Sequence, residues 1–234
     1  LVAAIVIGNR NGFPNQAMPP HNLTMSITGA GMLWVGWFGF NAGSALAANG
    51  DAGMAMLVTH VSAAAGALAW MTMEWLKFGK PSALGAITGM VAGLGTITPA
   101  SGFVGPGGAL IIGLSAGIIC YYATQAVKQK FQIDDSLDVF PVHGVGGMLG
   151  TLFAGIFASD QLGIFGGQGY ASDMTMSSQV LVQLAGITAT FLYTAAVTWI
   201  LLKLVDKFLG LRVNEDDETS GLDVLEYSER GYDI

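Results

Sequence analysis

The chain has 234 residues, 52% of them hydrophobic and only 11% charged, with a formal net charge of −7 and a mean hydropathy of +0.56. Soluble domains carry about 25% charged residues, so this composition excludes an ordinary water-facing surface and points to lipid as the solvent. Eight acids and one base lie between Val213 and Ile234, which accounts for the whole net charge and leaves a neutral apolar body with an acidic, solvated tail. Such a tail does not suit nucleic acid or an anionic lipid surface, but it suits a basic protein partner. The single cysteine, Cys120, excludes a disulfide framework.

The chain opens on "LVAAIVIG", followed by Arg10, which reads as the inner end of a membrane helix. Eight residues at 1.5 Å each reach about 12 Å, less than half a bilayer, so the chain is expected to begin inside a helix and to be a piece of a longer protein. A full crossing needs about 20 apolar residues. Five segments supply them, at about 23–47, 54–76, 83–100, 107–127 and 139–158. A sixth, about 178–208, is longer than a crossing requires and is expected to continue into water as a helix. Turn-rich pieces such as "NGD", "FGKPS" and "SGFVGPGG" connect them.

Charge gives the orientation independently. Arg10, Lys77, Lys80, Lys128, Lys130, Lys203, Lys207, Arg212 and Arg230 all fall on one side of a six-span arrangement. The intervening loops, near Asn49–Asp51, Ser101–Pro106 and Ser159–Ser177, hold no Lys or Arg. The positive-inside rule then makes the basic side, and the acidic tail with it, cytoplasmic. The chain divides into a transmembrane domain over 1–209 and a cytoplasmic tail over 210–234.

Three stretches carry possible chemistry. In "GWFGFNAGS", Gly36 to Ser44, the residues Trp37, Phe38 and Phe40 suit an interfacial aromatic belt, the reading composition favours, or an aromatic face that grips a cation. The Ser44 hydroxyl either faces the outer surface or bonds back to its own helix. His60, in "VTHVSAAAG", reads as a packing histidine, and His21, in "PPHN", as a structural loop residue. In "DVFPVHGVGGMLG", Asp138 stands where the fifth span starts and suits an N-terminal cap. His143 lies about one and a half turns further in. An ionisable group at membrane depth usually faces the bundle interior or a cavity. A neutral imidazole both donates and accepts hydrogen bonds, which suits a small polar solute that exchanges protons. A core histidine bonded to a backbone carbonyl is the alternative. Gly144, Gly147 and Gly150 follow at helical spacing and are expected to mark close helix packing. No metal-ligand spacing, phosphate-binding glycine motif or nucleophile–base pair stands out, so neither a cofactor nor an enzyme is expected.

With "GWFGFNAGS", "GKPSALGAITGMVAGLGTITPASGFVGPGGALIIG", "IDDSLDVFPVHGVGGMLGTLFAGIFA" and "GLRV…GLDV", the chain resembles the ammonium transporter (Amt) family over essentially its whole length. The resemblance implies an all-α polytopic membrane protein of eleven helices, built as an inverted repeat and assembled as a homotrimer with a narrow hydrophobic pore in each subunit. This chain would be the second half of that fold, with six full spans after a stub of helix five. Carried over by position, Ser44 and Phe40 match the outer ammonium site and the phenylalanine gate beneath it, with Trp37 beside the pore. Val91 and Val139 match apolar pore-lining positions, and His143 matches the second of two facing pore histidines. Asp138 matches an aspartate at the cytoplasmic start of that helix, and His60 matches neither pore histidine.

The function this implies is passage of ammonium or ammonia across the cell membrane. The cation would lose a proton at the outer vestibule, and NH3 would pass the pore histidines. An ammonium sensor, or transceptor, on the same fold is the alternative. The resemblance also implies a PII-type signalling partner at the tail. Leu225 stands where plant members have a regulatory threonine, so phosphorylation there is not expected. With half a pore, the chain is not expected to conduct alone.

Overall fold

Short polar side chains set where the long helices begin. Asn22 Oδ1 accepts from the Met25 amide at 2.9 Å, Asn49 Oδ1 from Ala52 at 3.1 Å and Ser82 Oγ from Gly85 at 2.8 Å. Each satisfies one of the amides that a first turn leaves without a partner. Thr175 and Ser178 form a reciprocal capping box at the last long helix.

The computed structural model describes residues 1–231, so Asp233 of the acidic tail lies outside the described residues. The α-helices are α1 (Val2–Ile7), α2 (Leu23–Gly43), α3 (Gly50–Phe78), α4 (Ala83–Ile97), α5 (Pro106–Gln125), α6 (Gly146–Phe157), α7 (Met176–Leu209), α8 (Glu215–Ser220) and α9 (Leu222–Tyr227). A π-helical turn, Ala126–Lys130, prolongs α5, and a second, Phe140–Val145, leads into α6. Pro141 sits in that second turn, where a missing amide proton is tolerated.

Among the described residues, five helical segments are long and apolar enough to cross a membrane: α2, α3, Pro106–Lys130, Phe140–Phe157 and α7. The expected third span is shorter. α4 has 15 residues, or about 22 Å. Pro99 removes a ladder donor just beyond it, and the chain continues in turns. Irregular backbone at membrane depth is tolerated where protein covers it, and Ala100, Ser101 and Val104 there are buried.

Small residues let α3, α4 and α5 cross closely. A Cβ on Gly93 would collide with the Ser62 carbonyl, and one on Gly66 with the Gly89 carbonyl. Ser62 Oγ donates to the Gly93 carbonyl at 2.8 Å across the same crossing. Around it lie Val58, Ile97 and Ile112 in one cluster, and Trp70, Cys120, Tyr121 and Val142 in another.

Two threonines fasten α2 to this core by one device. Buried Thr59 on α3 donates its hydroxyl to Ala55 O (2.6 Å) and accepts from Asn41 Nδ2 (3.0 Å). Thr98, just past α4, donates to Leu94 O (2.8 Å) and accepts from Trp37 Nε1 (2.8 Å). Trp37 and Asn41 are four residues apart and share one face of α2. By contrast, α7 has no buried residue.

Polar contacts gather the ends of several elements together. Arg10 binds Asp134 through Nε (2.7 Å) and Nη2 (2.8 Å), and its amide reaches the same carboxylate at 3.0 Å. Asn11 N and Arg212 Nη2 both donate to Glu218, at 2.9 and 2.7 Å. The tail is therefore docked on the loop after α1, which is docked on the loop before His143.

Candidate functional site

His143 stands on the π-helical turn before α6, and its imidazole lies nearly parallel to the Trp37 indole, with 14° between planes and 6.3 Å between centroids. Behind it the wall is backbone: a Cβ on Gly95 of α4 would come within 3.6 Å of His143 Nδ1. Phe40 meets the edge of the Trp37 ring at 6.0 Å. One turn on, exposed Ser44 donates its hydroxyl to Phe40 O at 2.7 Å, the back-bonding geometry within its own helix. The structure thus brings Trp37, Phe40 and His143 together, with Ser44 one turn beyond.

The remaining expected site residues are more dispersed. Val91, half-buried, lies one turn before Gly95 and packs against two core clusters. Val139 begins the His143 helix and is 51% exposed. Phe40 is 63% exposed, and His143 is itself exposed. His143 is not enclosed in the bundle interior: α2 and α4 cover one side of the imidazole, and the opposite side is open. What the described residues form is one wall rather than a closed passage.

Two further expectations change. Asp138 does not cap its helix: the Phe140 amide donates to Asp135 Oδ2 at 2.6 Å instead. Asp138 has φ 55° and pairs with Lys128 Nζ at 2.9 Å. Its position just outside the helix turns the side chain towards α5's extension, leaving the cap to buried Asp135. Burial pushes the Asp138 carboxyl above the ordinary range, and Lys128 opposes that rise. At Asp134 the balance is reversed, and the Arg10 hydrogen bond holds the carboxyl below the ordinary range.

Of the expected packing glycines Gly144, Gly147 and Gly150, only Gly150 makes a close crossing, where a Cβ would collide with the Thr96 carbonyl; Gly146, not singled out in the sequence, faces the Thr96 hydroxyl. A Cβ on Gly147 would meet nothing within 4 Å, and one on Gly144 would meet Phe140 of its own helix. Gly144 and Gly147 line a cavity of about 610 Å³ between the start of α1, α6 and α7, together with Thr151, Thr190 and Thr194. None of the expected pore residues lines that cavity. His60 is exposed and its ring contacts are with Trp34 (5.1 Å) and Phe38 (6.0 Å).

Sequence reasoning missed Thr98 and Gly95. Thr98 meets Trp37 across 61 residues of chain, and no local pattern signals a pairing that distant.

Comparison with known proteins gives the family of the chain. The model of the Ammonium Transporter Family matches residues 1–232. The chain belongs to this family. It is 48% identical over 233 residues to a putative ammonium transporter of Methanothermobacter thermautotrophicus, covering 99% of this chain and 56% of that one. With the ammonium transporter Amt1 of Archaeoglobus fulgidus it shares 45% identity, covering 99% and 58%. The fold superposes on a structure titled Sensor Amt Protein with a TM-score of 0.86 at 31% identity, covering 96% and 55%. On the crystal structure of Candida albicans Mep2 the TM-score is 0.81 at 34% identity, covering 97% and 52%. The chain spans about half the length of the curated relatives it matches. With its long apolar helices, this member of the family is a multi-pass membrane protein.

Proposed function

We propose that these 234 residues serve ammonium transport, with the Trp37, Phe40 and His143 face as one wall of the path. The observation that carries this is the imidazole held parallel to an indole on an apolar, glycine-backed wall, in a chain of the Ammonium Transporter Family. An apolar wall disfavours NH4+, because an ion is costly to desolvate without compensating charge. The cation is therefore gripped first near exposed Ser44 and Phe40 and gives its proton to water there. Neutral NH3 then passes Val91 and Val139, with His143 as its hydrogen-bonding partner.

On this reading the basic side faces the cytoplasm, the protein sits in the plasma or inner membrane, and residues 210–234 form a cytoplasmic tail. The family resemblance further supports a homotrimer and a PII-type partner at that tail. The experiment is uptake of labelled methylammonium into cells lacking their own ammonium uptake, using the full-length gene product that contains these residues. Accumulation above vector control, competed by ammonium, is expected; none at normal membrane levels overturns the reading.

The superposition on a structure titled Sensor Amt Protein favours a second reading, ammonium sensing on the same fold. A sensor binds ammonium and changes a downstream signal while uptake stays at the vector level, so the same assay separates the two.

A further inference from the structure

We infer that Thr98 is a positioning residue for the passage, holding the Trp37 indole parallel to His143 and keeping the indole N–H away from the solute. This rests on the transport reading above. Trp37 Nε1 donates to Thr98 Oγ1 at 2.8 Å, while the Thr98 hydroxyl proton goes to Leu94 O at 2.8 Å. With its single proton used by its own helix, the hydroxyl offers only lone pairs to the indole, and the direction of the bond is fixed. Thr98 is half-buried, β-branched and followed by Pro99, so neither its rotamer nor its backbone swings freely.

The consequence lies on the other side of the ring. An indole N–H is a donor only, and NH3 carries one lone pair that accepts from any donor nearby. A free indole N–H beside His143 would compete for that lone pair and hold the solute. Bound to Thr98, Trp37 presents only its face, and on this wall the pair leaves His143 to make the hydrogen bond. Turning the ring by losing the Thr98 bond would also remove the 14° alignment of the two planes.

The test uses the full-length product in the uptake assay, normalised to protein in the membrane, with Thr98→Val, Thr98→Ser, Trp37→Phe and His143→Ala. Thr98→Val keeps the shape and removes the hydroxyl, and it is expected to lower maximal uptake about tenfold and to lower KM in the same direction, because the solute is retained. Thr98→Ser, which keeps the hydroxyl, is expected within about twofold of the parent. In the Trp37→Phe background, with no N–H to hold, Thr98→Val is expected to have no further effect. Parent-like uptake in Thr98→Val overturns the inference, as does Ser behaving like Val, or an undiminished Val effect in the Trp37→Phe background. A loss of protein level with unchanged KM also overturns it, since it shows a purely structural role. If His143→Ala changes uptake while Thr98→Val does not, the inference falls and the transport reading stands. If His143→Ala changes nothing, the reading of the wall falls and this inference with it.

Discussion

Asp134 shows how one charged side chain is kept at the edge of an apolar protein. Its carboxylate is 1% exposed, and three donors from Arg10 satisfy it. Replacing Arg10 with Met leaves a buried carboxylate with its side-chain partner gone, at a cost of about 1–3 kcal/mol. Because Arg10 lowers the Asp134 pKa, its contribution is present above the ordinary aspartate range and lost as pH falls through the lowered value. Thermal unfolding in detergent should therefore separate the parent from Arg10→Met at neutral pH, and the gap should close below about pH 4. A gap that persists unchanged at low pH would show that the guanidinium acts through packing alone. Asp138 runs the other way: burial raises its pKa, so Lys128→Met, which removes the opposing charge, should raise it further. Infrared titration of the carboxyl band would read that shift. The sequence made both aspartates visible but not their roles, because "IDDSLD" offers three carboxylates within five residues and only the backbone turn at Asp138 decides which of them caps.

At the scale of elements, crossings between helices are set by where a side chain has no room. Gly150→Ala on α6 should destabilise by about 1–3 kcal/mol, since the added methyl meets the Thr96 carbonyl. Gly147→Ala, three residues earlier and facing open space, should be neutral or stabilising by up to about 1 kcal/mol through helix propensity. Melting temperatures of the two variants check the contrast, and equal losses would contradict the packing described for α6. Both glycines look alike in the sequence, which shows their spacing but not which of them meets another helix. The long helices were legible because twenty apolar residues in a row leave few alternatives in lipid. The shortness of α4 was not, since "TITPASG" stays free of charge past the point where Pro99 ends the ladder. Nor was the π-helical turn at Phe140–Val145, which depends on how α6 meets α4 and α5.

For the whole molecule, composition and the long apolar runs carried most of what the structure bears out: an all-helical, multi-pass membrane protein with an acidic tail. The site was partly legible. The sequence singled out Trp37, Phe40 and His143 one by one, whereas their grouping, the exposed side of His143 and the Thr98 support follow only from three-dimensional placement. The tail contacts through Glu218 and Asn11, and the Arg10–Asp134 pair, run from residue 218 to the loop that precedes His143. Two histidines occupy the membrane-spanning helices, and only one stands on the Trp37 wall, so they make a direct internal comparison. The measurement is methylammonium uptake by the full-length product carrying His143→Ala or His60→Ala, each normalised to protein in the membrane. The account predicts that His143→Ala changes maximal uptake or ion selectivity, while His60→Ala stays near the parent. Unchanged uptake in His143→Ala, or an equal loss in both variants, would contradict it.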